Sequence, residues 1–415
     1  MSEWELLELS EFITLQRGHD LPSDKRNSGD VPILGSSGIT GYHDTPSTQG
    51  PGVTIGRSGN SMGVATYSKC DFFALNTTLF VKDFKGNDER FVYYWAKSFN
   101  FKSFDSGSAQ SSLNRNFLQR VEVAVPPLRE QRSIAELIGN LDDKIELNQR
   151  MNQTLEEIAK VIFKSWFVDF DPVRAKAEGR PTGLSPEISD QFPGELVDSE
   201  IGEIPKGWEV TSLGDVCEQV TKGTTPTSVG GKFSEDGNIL FVKVESISED
   251  GQLLPSKFAK IDEETDSLLK RSQLREGDVL LSIAGTIGRS TIMPKRFLPA
   301  NTNQALAILR CCGKEDFVLQ TLRSDHIQQN FHSKIVQAVQ ANLSLGEIKA
   351  TQCVLPPLGV HDQLIDMIRK IREASEIRDQ ETSILAELRD TLLPKLISGE
   401  LRIPDAEKFL EQAGI

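Results

Sequence analysis

The chain repeats itself, and a repeat of this kind limits the fold more than any local pattern does. Trp4-Glu5 is echoed by Trp208-Glu209. Gly52-Val53 followed by Gly56-Arg57-Ser58-Gly59 is echoed by Gly277-Asp278-Val279 followed by Ala284-Gly285-Thr286-Ile287-Gly288-Arg289. Leu75-Asn76-Thr77-Thr78-Leu79 returns as Thr302-Asn303-Gln304-Ala305-Leu306, and Ala109-Gln110-Ser111-Ser112-Leu113 as Val339-Gln340-Ala341-Asn342-Leu343. Val125-Pro126-Pro127-Leu128 returns as Leu355-Pro356-Pro357-Leu358. The offset is about 204 at the start and lies between 226 and 232 from residue 50 onward, so the second copy has a longer early loop. Solenoid repeats run to only ~20–45 residues. The duplication therefore implies two homologous units, each a globular part followed by a helical part.

The globular parts read as mixed α/β. Val279-Leu280-Leu281-Ser282-Ile283 and Ala305-Leu306-Ala307-Ile308-Leu309 are short apolar runs bounded by Gly, Pro and Asn, as buried strands are. Phe91 to Phe101 is aromatic-rich at helical spacing and reads as a core-packing helix. The helical parts follow a heptad. One seam position is Ile134, Leu141, Asn148, Leu155 and Ile162; the other is Ile138, Ile145, Asn152, Ala159 and Trp166. The second copy runs in register at offset 230: Leu364, Ile371, Arg378, Leu385, Leu392, with Ile368, Ser375, Thr382, Arg389, Leu396. In both copies the polar seam residues fall mid-helix, where they fix register at some cost in stability. Two such helices in one chain most simply pair with each other, antiparallel under a pseudo-twofold repeat. Residues 133–168 would make a rod of roughly 50 Å.

The expected architecture is α/β (mixed α+β): two homologous globular domains separated by two long antiparallel coiled-coil helices. Its segments are 1–125 (first globular domain), 126–170 (central long helix), 171–206 (linker), 207–355 (second globular domain) and 356–415 (C-terminal long helix and tail). Pro172, Pro181, Pro186, Pro193 and Pro205 mark the linker as partly ordered.

Composition enters as a constraint on partners. The 415 residues carry a net charge of −14, which on its face opposes phosphate binding. The distribution softens this: residues 1–126 and 207–356 are each only −2, and residues 127–206 and 357–415, the helices with the linker and tail, hold the other −10. No run of 18 apolar residues occurs, so no transmembrane helix and no membrane partner is expected. The first residues are acidic and polar, unlike a signal peptide. Cys70, Cys217, Cys311, Cys312 and Cys353 show no C-x-x-C spacing and read as reduced thiols of a cytoplasmic protein.

Enzyme chemistry finds little support. There is no phosphate-binding G-x-x-x-x-G-K-[ST] and no G-x-G-x-x-G after a strand. His19, His43, His326, His332 and His361 lack metal-ligand spacing and read as surface polar residues. Asp169 and Asp171 read as a cap or turn where the helix ends. The expectation is a chain with no catalytic residue, no metal and no cofactor of its own. What remains are loop-borne polar and basic residues near glycines. In the first unit these are Arg17, Lys25, Arg26, Arg57, Asn60, Gln110, Asn114 and Arg115. In the second they are Lys222, Thr224, Thr225, Lys243, Arg289, Asn301, Asn303, Gln304, Gln340 and Asn342. Arg reads guanine and Asn or Gln reads adenine through paired hydrogen bonds, while Lys, Ser and Thr mostly hold phosphates.

These features together resemble the specificity subunit of a type I restriction–modification system. The resemblance rests on Pro126-Pro127-Leu128-Arg129-Glu130-Gln131 and its echo Pro356-Pro357-Leu358 with Asp362-Gln363. It rests also on Trp166-Phe167-Val168-Asp169-Phe170-Asp171-Pro172, on Leu392 to Leu401, and on the Gly277–Gly288 and Asn301–Gln304 stretches. It spans the whole chain. One departure is Gly359-Val360-His361-Asp362-Gln363, where the family favours an acidic–Gln pair close after Pro-Pro-Leu. The resemblance implies a non-catalytic DNA reader with two target-recognition domains. Each would bind half of a bipartite site on double-stranded DNA, and the helices would set the gap. It implies two modification (methyltransferase) subunits bringing S-adenosylmethionine, and restriction/motor subunits using ATP and Mg. The alternative from another class is a duplicated adaptor or scaffold binding protein or glycan ligands, which the −14 charge favours.

Overall fold

A computed structural model describes residues 4–105, 112–337 and 342–412. The chain divides into two compact units, Met1–Arg150 with Arg378–Ile415, and Met151–Ile377. Both long helices therefore contribute to both units, the first changing over at 150/151 and the second at 377/378.

The first unit holds a four-stranded antiparallel sheet in the order Thr14–Arg17, Thr78–Asp83, Gly52–Gly56, Ala65–Ser68. A three-stranded sheet runs Gly38–His43, Val31–Gly35, Phe73–Ala74, and Glu5–Glu8 pairs antiparallel with Glu122–Val125. The second unit repeats all three. Its four-stranded sheet runs Gln219–Lys222, Leu306–Arg310, Val279–Ser282, Ser290–Ile292. Its three-stranded sheet runs Ala259–Ile261, Ile239–Val242, Ala300–Thr302, and Glu209–Ser212 pairs with Gln352–Leu355. Registers agree too: Thr54 faces Phe80 in one sheet and Leu280 faces Ile308 in the other. The apolar runs that suggested buried strands are buried throughout at Val279–Ser282 and at Leu306 to Leu309.

Each unit stands its sheet on one amphipathic helix. Glu89–Ser98 starts at Asp88, whose carboxylate accepts from the Phe91 N–H, and buries Phe91, Val92 and Trp95. Glu315–Arg323 is its counterpart and buries Phe317, Val318 and Thr321. Beneath run the long helices Leu128–Phe163 and Leu358–Ile397. The first follows two prolines, which suit a helix start, and ends in a π-helical turn, Lys164–Val168.

Within the first unit the two helix segments run antiparallel. Asp142 accepts from Arg389 at 2.8 Å, and Asn148 Nδ2 donates to Glu381 at 2.8 Å. Ile134, Ile138, Leu141 and Ile145 are buried with Leu385, Leu392 and Leu396 in one core. Arg378 and Thr382 are half-buried. Within the second unit, Asn152 Nδ2 donates to the Ser375 carbonyl at 3.2 Å. Ala159, Trp166, Leu364 and Ile368 are buried there, and Leu155, Ile162 and Ile371 half-buried. Asn148 and Asn152 thus find partners on the facing helix segment, while the Thr382 hydroxyl is buried with no hydrogen-bond partner among the described residues.

The stretch 171–206 is folded rather than extended. Phe170 takes the left-handed backbone (φ 57°) that turns the chain out of the π-helical segment. Asp171–Ala177 is helical, Leu196–Ser199 and Gly202–Pro205 form a hairpin, and Phe170, Val173, Phe192 and Ile204 join Trp208 in the second unit's core. Asp171 accepts from the Ser165 hydroxyl at 2.8 Å, a turn contact. All five cysteines are free thiols. Two histidines correct the surface reading: His43 accepts from the Asn27 N–H at 3.1 Å while buried, and His361 is wholly buried against Phe317.

Candidate nucleic-acid interface

One loop constellation is built twice with the same backbone bonds. In the first unit, the strand Thr14–Arg17 runs into Gly18, which lies so close to the 74–75 turn that a Cβ would sit 2.2 Å from the Leu75 carbonyl oxygen. Gly18 N–H donates to Thr78 O at 3.0 Å, and Arg57 N–H to Thr77 O at 2.8 Å. Leu113 N–H then donates to Arg57 O at 2.8 Å, and Ser58 bridges Ser112. In the second unit a Cβ on Gly223 would sit 2.2 Å from Asn303 O. Gly223 N–H donates to Leu306 O at 3.1 Å, and Ile283 N–H to Ala305 O at 2.8 Å. Leu343 N–H donates to Ile283 O at 2.9 Å, and Ala284 bridges Asn342. These bonds equate Thr78 with Leu306 and Arg57 with Ile283. The sequence echo had set Asn76 opposite Asn303; the backbone sets it opposite Gln304.

Polar side chains crown each constellation. In the first unit the Asn76 amide donates to the Asp20 carboxylate, Arg17 stands 3.8 Å from Asp20, and Arg57 donates to Asn76 O at 3.5 Å. In the second the Thr225 hydroxyl donates to the Gln304 amide oxygen, and Arg271 donates to Thr224 Oγ1 at 3.4 Å. Asn303 accepts from the Ala305 N–H at 3.2 Å and shapes the turn, and Lys222 is exposed beside it. The fold thus gathers Arg17 and Arg57 in one unit, and Lys222, Thr224, Thr225, Asn303, Gln304 and Asn342 in the other.

Other candidates lie apart from that cluster. Lys25 closes the 3₁₀ turn Ser23–Lys25, and Arg26 after it is half-buried against Gly41. Asn60 is exposed in the turn Gly59–Ser61. Asn114 caps Arg115–Leu118 by accepting from the Asn116 N–H at 3.0 Å, and Arg115 borders a small groove with Leu9 and Ile13. Lys243 pairs with Glu245 at 2.9 Å and holds that carboxyl below its ordinary range. Arg289 donates to the Ile247 carbonyl at 2.7 Å and faces Glu249. Asn301 is a correction: it is 0% exposed, and its amide donates to Asp266 at 2.8 Å and to the Leu269 carbonyl, so it ties the fold and meets no ligand. Gln110 and Gln340 lie outside the described residues.

Asp20, Asn76 and Arg271 were not singled out from the sequence. Asn76 lay inside the Leu75–Leu79 echo, which was the available signal. Asp20 precedes the region of steady offset, and Arg271 is remote from both echoes. Among the described residues no group of three His, Cys, Asp or Glu is placed to hold a metal ion.

The comparisons agree with this duplicated frame. The family model described as the type I restriction modification DNA specificity domain matches the chain over residues 1–157 and 205–383. The specificity subunit of the type I restriction enzyme MjaIX from Methanocaldococcus jannaschii is 27% identical over 327 residues, covering 76% of this chain and 69% of that protein. The HindI specificity subunit from Haemophilus influenzae is 27% identical over 326 residues, covering 67% of this chain and 68% of that protein. The crystal structure of a type I restriction–modification S subunit from M. genitalium shares the fold at a TM-score of 0.61 and 15% identity, over 95% of this chain and 96% of that one. The chain belongs to the type I restriction–modification DNA specificity family.

Proposed function

We propose that this chain is the non-catalytic DNA-binding subunit of a type I restriction–modification complex, each unit reading one half of a split, asymmetric site. The observation that carries this reading is the loop constellation built twice on one backbone frame and dressed with different side chains. A symmetric reader would carry the same side chains twice. The long helices set the unspecified gap: each runs through the division between the units without a break, and each base pair of B-DNA adds about 3.4 Å.

The helices also dock the modification subunits. In the second unit Met151, Ile158 and Val161 on one helix and Met367 and Ile377 on the other are exposed and apolar. In the first unit Leu147 and Ile384 are likewise exposed. Charges of both signs flank them, Glu156, Glu157, Asp366 and Glu376 with Lys160, Arg369, Lys370 and Arg378, a mixed rim of the kind a protein partner meets. Two modification subunits would bring S-adenosylmethionine and methylate an adenine in each half-site, a reaction that requires the base to leave the stack. A motor subunit with ATP and Mg would complete the restriction complex in the cytoplasm. No helix among the described residues is long and apolar enough to cross a membrane.

The test is methylation mapping. The chain is expressed with its genomically adjacent methyltransferase in an unmethylated host, and modified adenines are mapped. One split motif with a fixed gap, lost when this chain is omitted, is expected. A soluble complex that modifies no motif would overturn the reading.

A further inference from the structure

We propose that one matched pair of side chains in each unit selects a base of its half-site: Asp20 with Asn76 in the first, Thr225 with Gln304 in the second. Arg17 and Lys222, one step before the shared glycine, hold the neighbouring phosphate. This assignment rests on the DNA-recognition reading and deepens it to named positions.

A module that serves two different half-sites must keep its frame and vary what the frame presents. The frame is kept to the level of single hydrogen bonds. Gly18 and Gly223 press against the facing turn at the same distance, and their N–H groups meet Thr78 and Leu306. Arg57 and Ile283 make the same two backbone bonds. On that frame, the residue before the glycine is basic and exposed in both units, as a sequence-independent phosphate contact requires. The residue two places after the glycine changes from a carboxylate, Asp20, to a hydroxyl, Thr225, and the amide facing it across the turn stays an amide but lengthens from Asn76 to Gln304.

The change has a direction. Asp20 is 73% exposed, and its carboxylate can only accept hydrogen bonds. Its Oδ1 takes the Asn76 amide and faces Arg17, which stands between it and the phosphate, and its Oδ2 is left as an acceptor that fits an amino group on a base edge. Asn76 spends one N–H on Asp20 and keeps its other N–H and its carbonyl oxygen, so the acceptor-only group of the pair is the carboxylate. The first pair therefore selects cytosine or adenine, whose N4 and N6 amino groups point into the major groove. In the second unit the Thr225 hydroxyl donates to the Gln304 carbonyl oxygen. That leaves the Gln304 amino group outward as a donor. The second pair therefore selects an acceptor, guanine O6 or N7, thymine O4 or adenine N7, and rejects cytosine, which offers only a donor.

The test uses the complete complex and the same methylation map. Asp20→Asn is nearly isosteric at an exposed position and should fold. It should weaken the preference at one position of one half-site by about ten- to hundred-fold and leave the other half-site and the gap unchanged. The double variant Asp20→Thr with Asn76→Gln installs the second unit's pair and should move that position from an amino-bearing base to an acceptor base. Arg17→Ala should lower methylation at every sequence alike and flatten its salt dependence. A wild-type motif left unchanged at every position by Asp20→Asn overturns the assignment and leaves the pair as a tie between loops. A wild-type chain that directs no split motif overturns the recognition reading itself.

Discussion

The two units meet their helix segments through the same contact with its polarity reversed. In the first, Arg90 on the helix Glu89–Ser98 donates to Asp143 at 2.9 Å and to the Gly139 carbonyl at 3.0 Å. Gly139 is what lets the guanidinium lie on the helix, since a Cβ there would sit 2.5 Å from its central carbon. In the second, the corresponding residue is Asp316, 3% exposed, which accepts from Arg372 at 2.6 Å and faces Arg369 at 3.7 Å. The place of the ion pair is shared and its sign is not. Each globular part thereby suits its own helix segment, because exchange would set Arg90 against Arg369 and Arg372. A second contrast lies one turn further on. Trp95 packs edge-on against Phe12 at 5.3 Å and tilted on Phe99 at 4.9 Å. Its counterpart Thr321 is buried with no hydrogen-bond partner for its hydroxyl, beside a cavity of about 400 Å³ lined by Phe163, Phe167, Phe170 and His326.

The largest expected effect breaks the ion-pair contrast. Asp316→Ala takes the buried carboxylate from Arg372 and Arg369, which keep only Glu376 and Asp366 on their own helix, and should cost about 3 kcal/mol in urea unfolding. Arg90→Ala should cost less, because Asp143 keeps Lys69 at 3.1 Å in a half-exposed setting. Equal losses would show that the polarity is incidental. Next, Trp95→Thr copies the second unit into the first and should cost a comparable amount, about 3 kcal/mol. Thr321→Val removes the unpartnered hydroxyl and should be neutral or stabilising by about 1 kcal/mol. A large loss on Thr321→Val would mean that the hydroxyl has a partner after all.

The smallest effect concerns pH. Gln131 and His361 hold matched places after Pro-Pro-Leu. Gln131 donates to Asn87 and to the Pro126 carbonyl and accepts from the Asp88 N–H. Among the described residues the His361 ring hydrogen-bonds only to Asp362, at 3.1 Å, and its Nε2 has no partner. Burial holds its imidazole below the ordinary 6.5, with Lys314 and Arg369 adding to the effect and Asp362 opposing it. The unfolded chain then binds the proton more readily than the folded one. Stability is full above about 6.5 and declines as the pH falls, until the folded imidazole itself protonates. His361→Gln should flatten that decline, leaving a remainder from His326, which burial also lowers. An unchanged slope between pH 7.5 and 5.5 would assign the decline to other groups.

Much of the fold was legible in the sequence, because duplication and heptad spacing are patterns of residue type. Asn148 and Asn152 stood out as polar seam residues and proved to be paired ones. The interface was legible only in outline. Asn301 looks like a reader because Asn is a common one, yet its burial beside Asp266 is a property of three segments far apart in the chain. Asp20 looked like nothing, because its partner Asn76 comes 56 residues later.

Sequence alone thus determined that the chain is two copies of one unit joined by two long helices. Repeats and periodicity are local in sequence and survive without coordinates. Only the tertiary structure decided which residues share an edge, that Gln304 and not Asn303 answers Asn76, and that Arg90 and Asp316 are one contact. A hydrogen bond or an ion pair is a relation between distant residues, set by backbone distances that no spacing encodes.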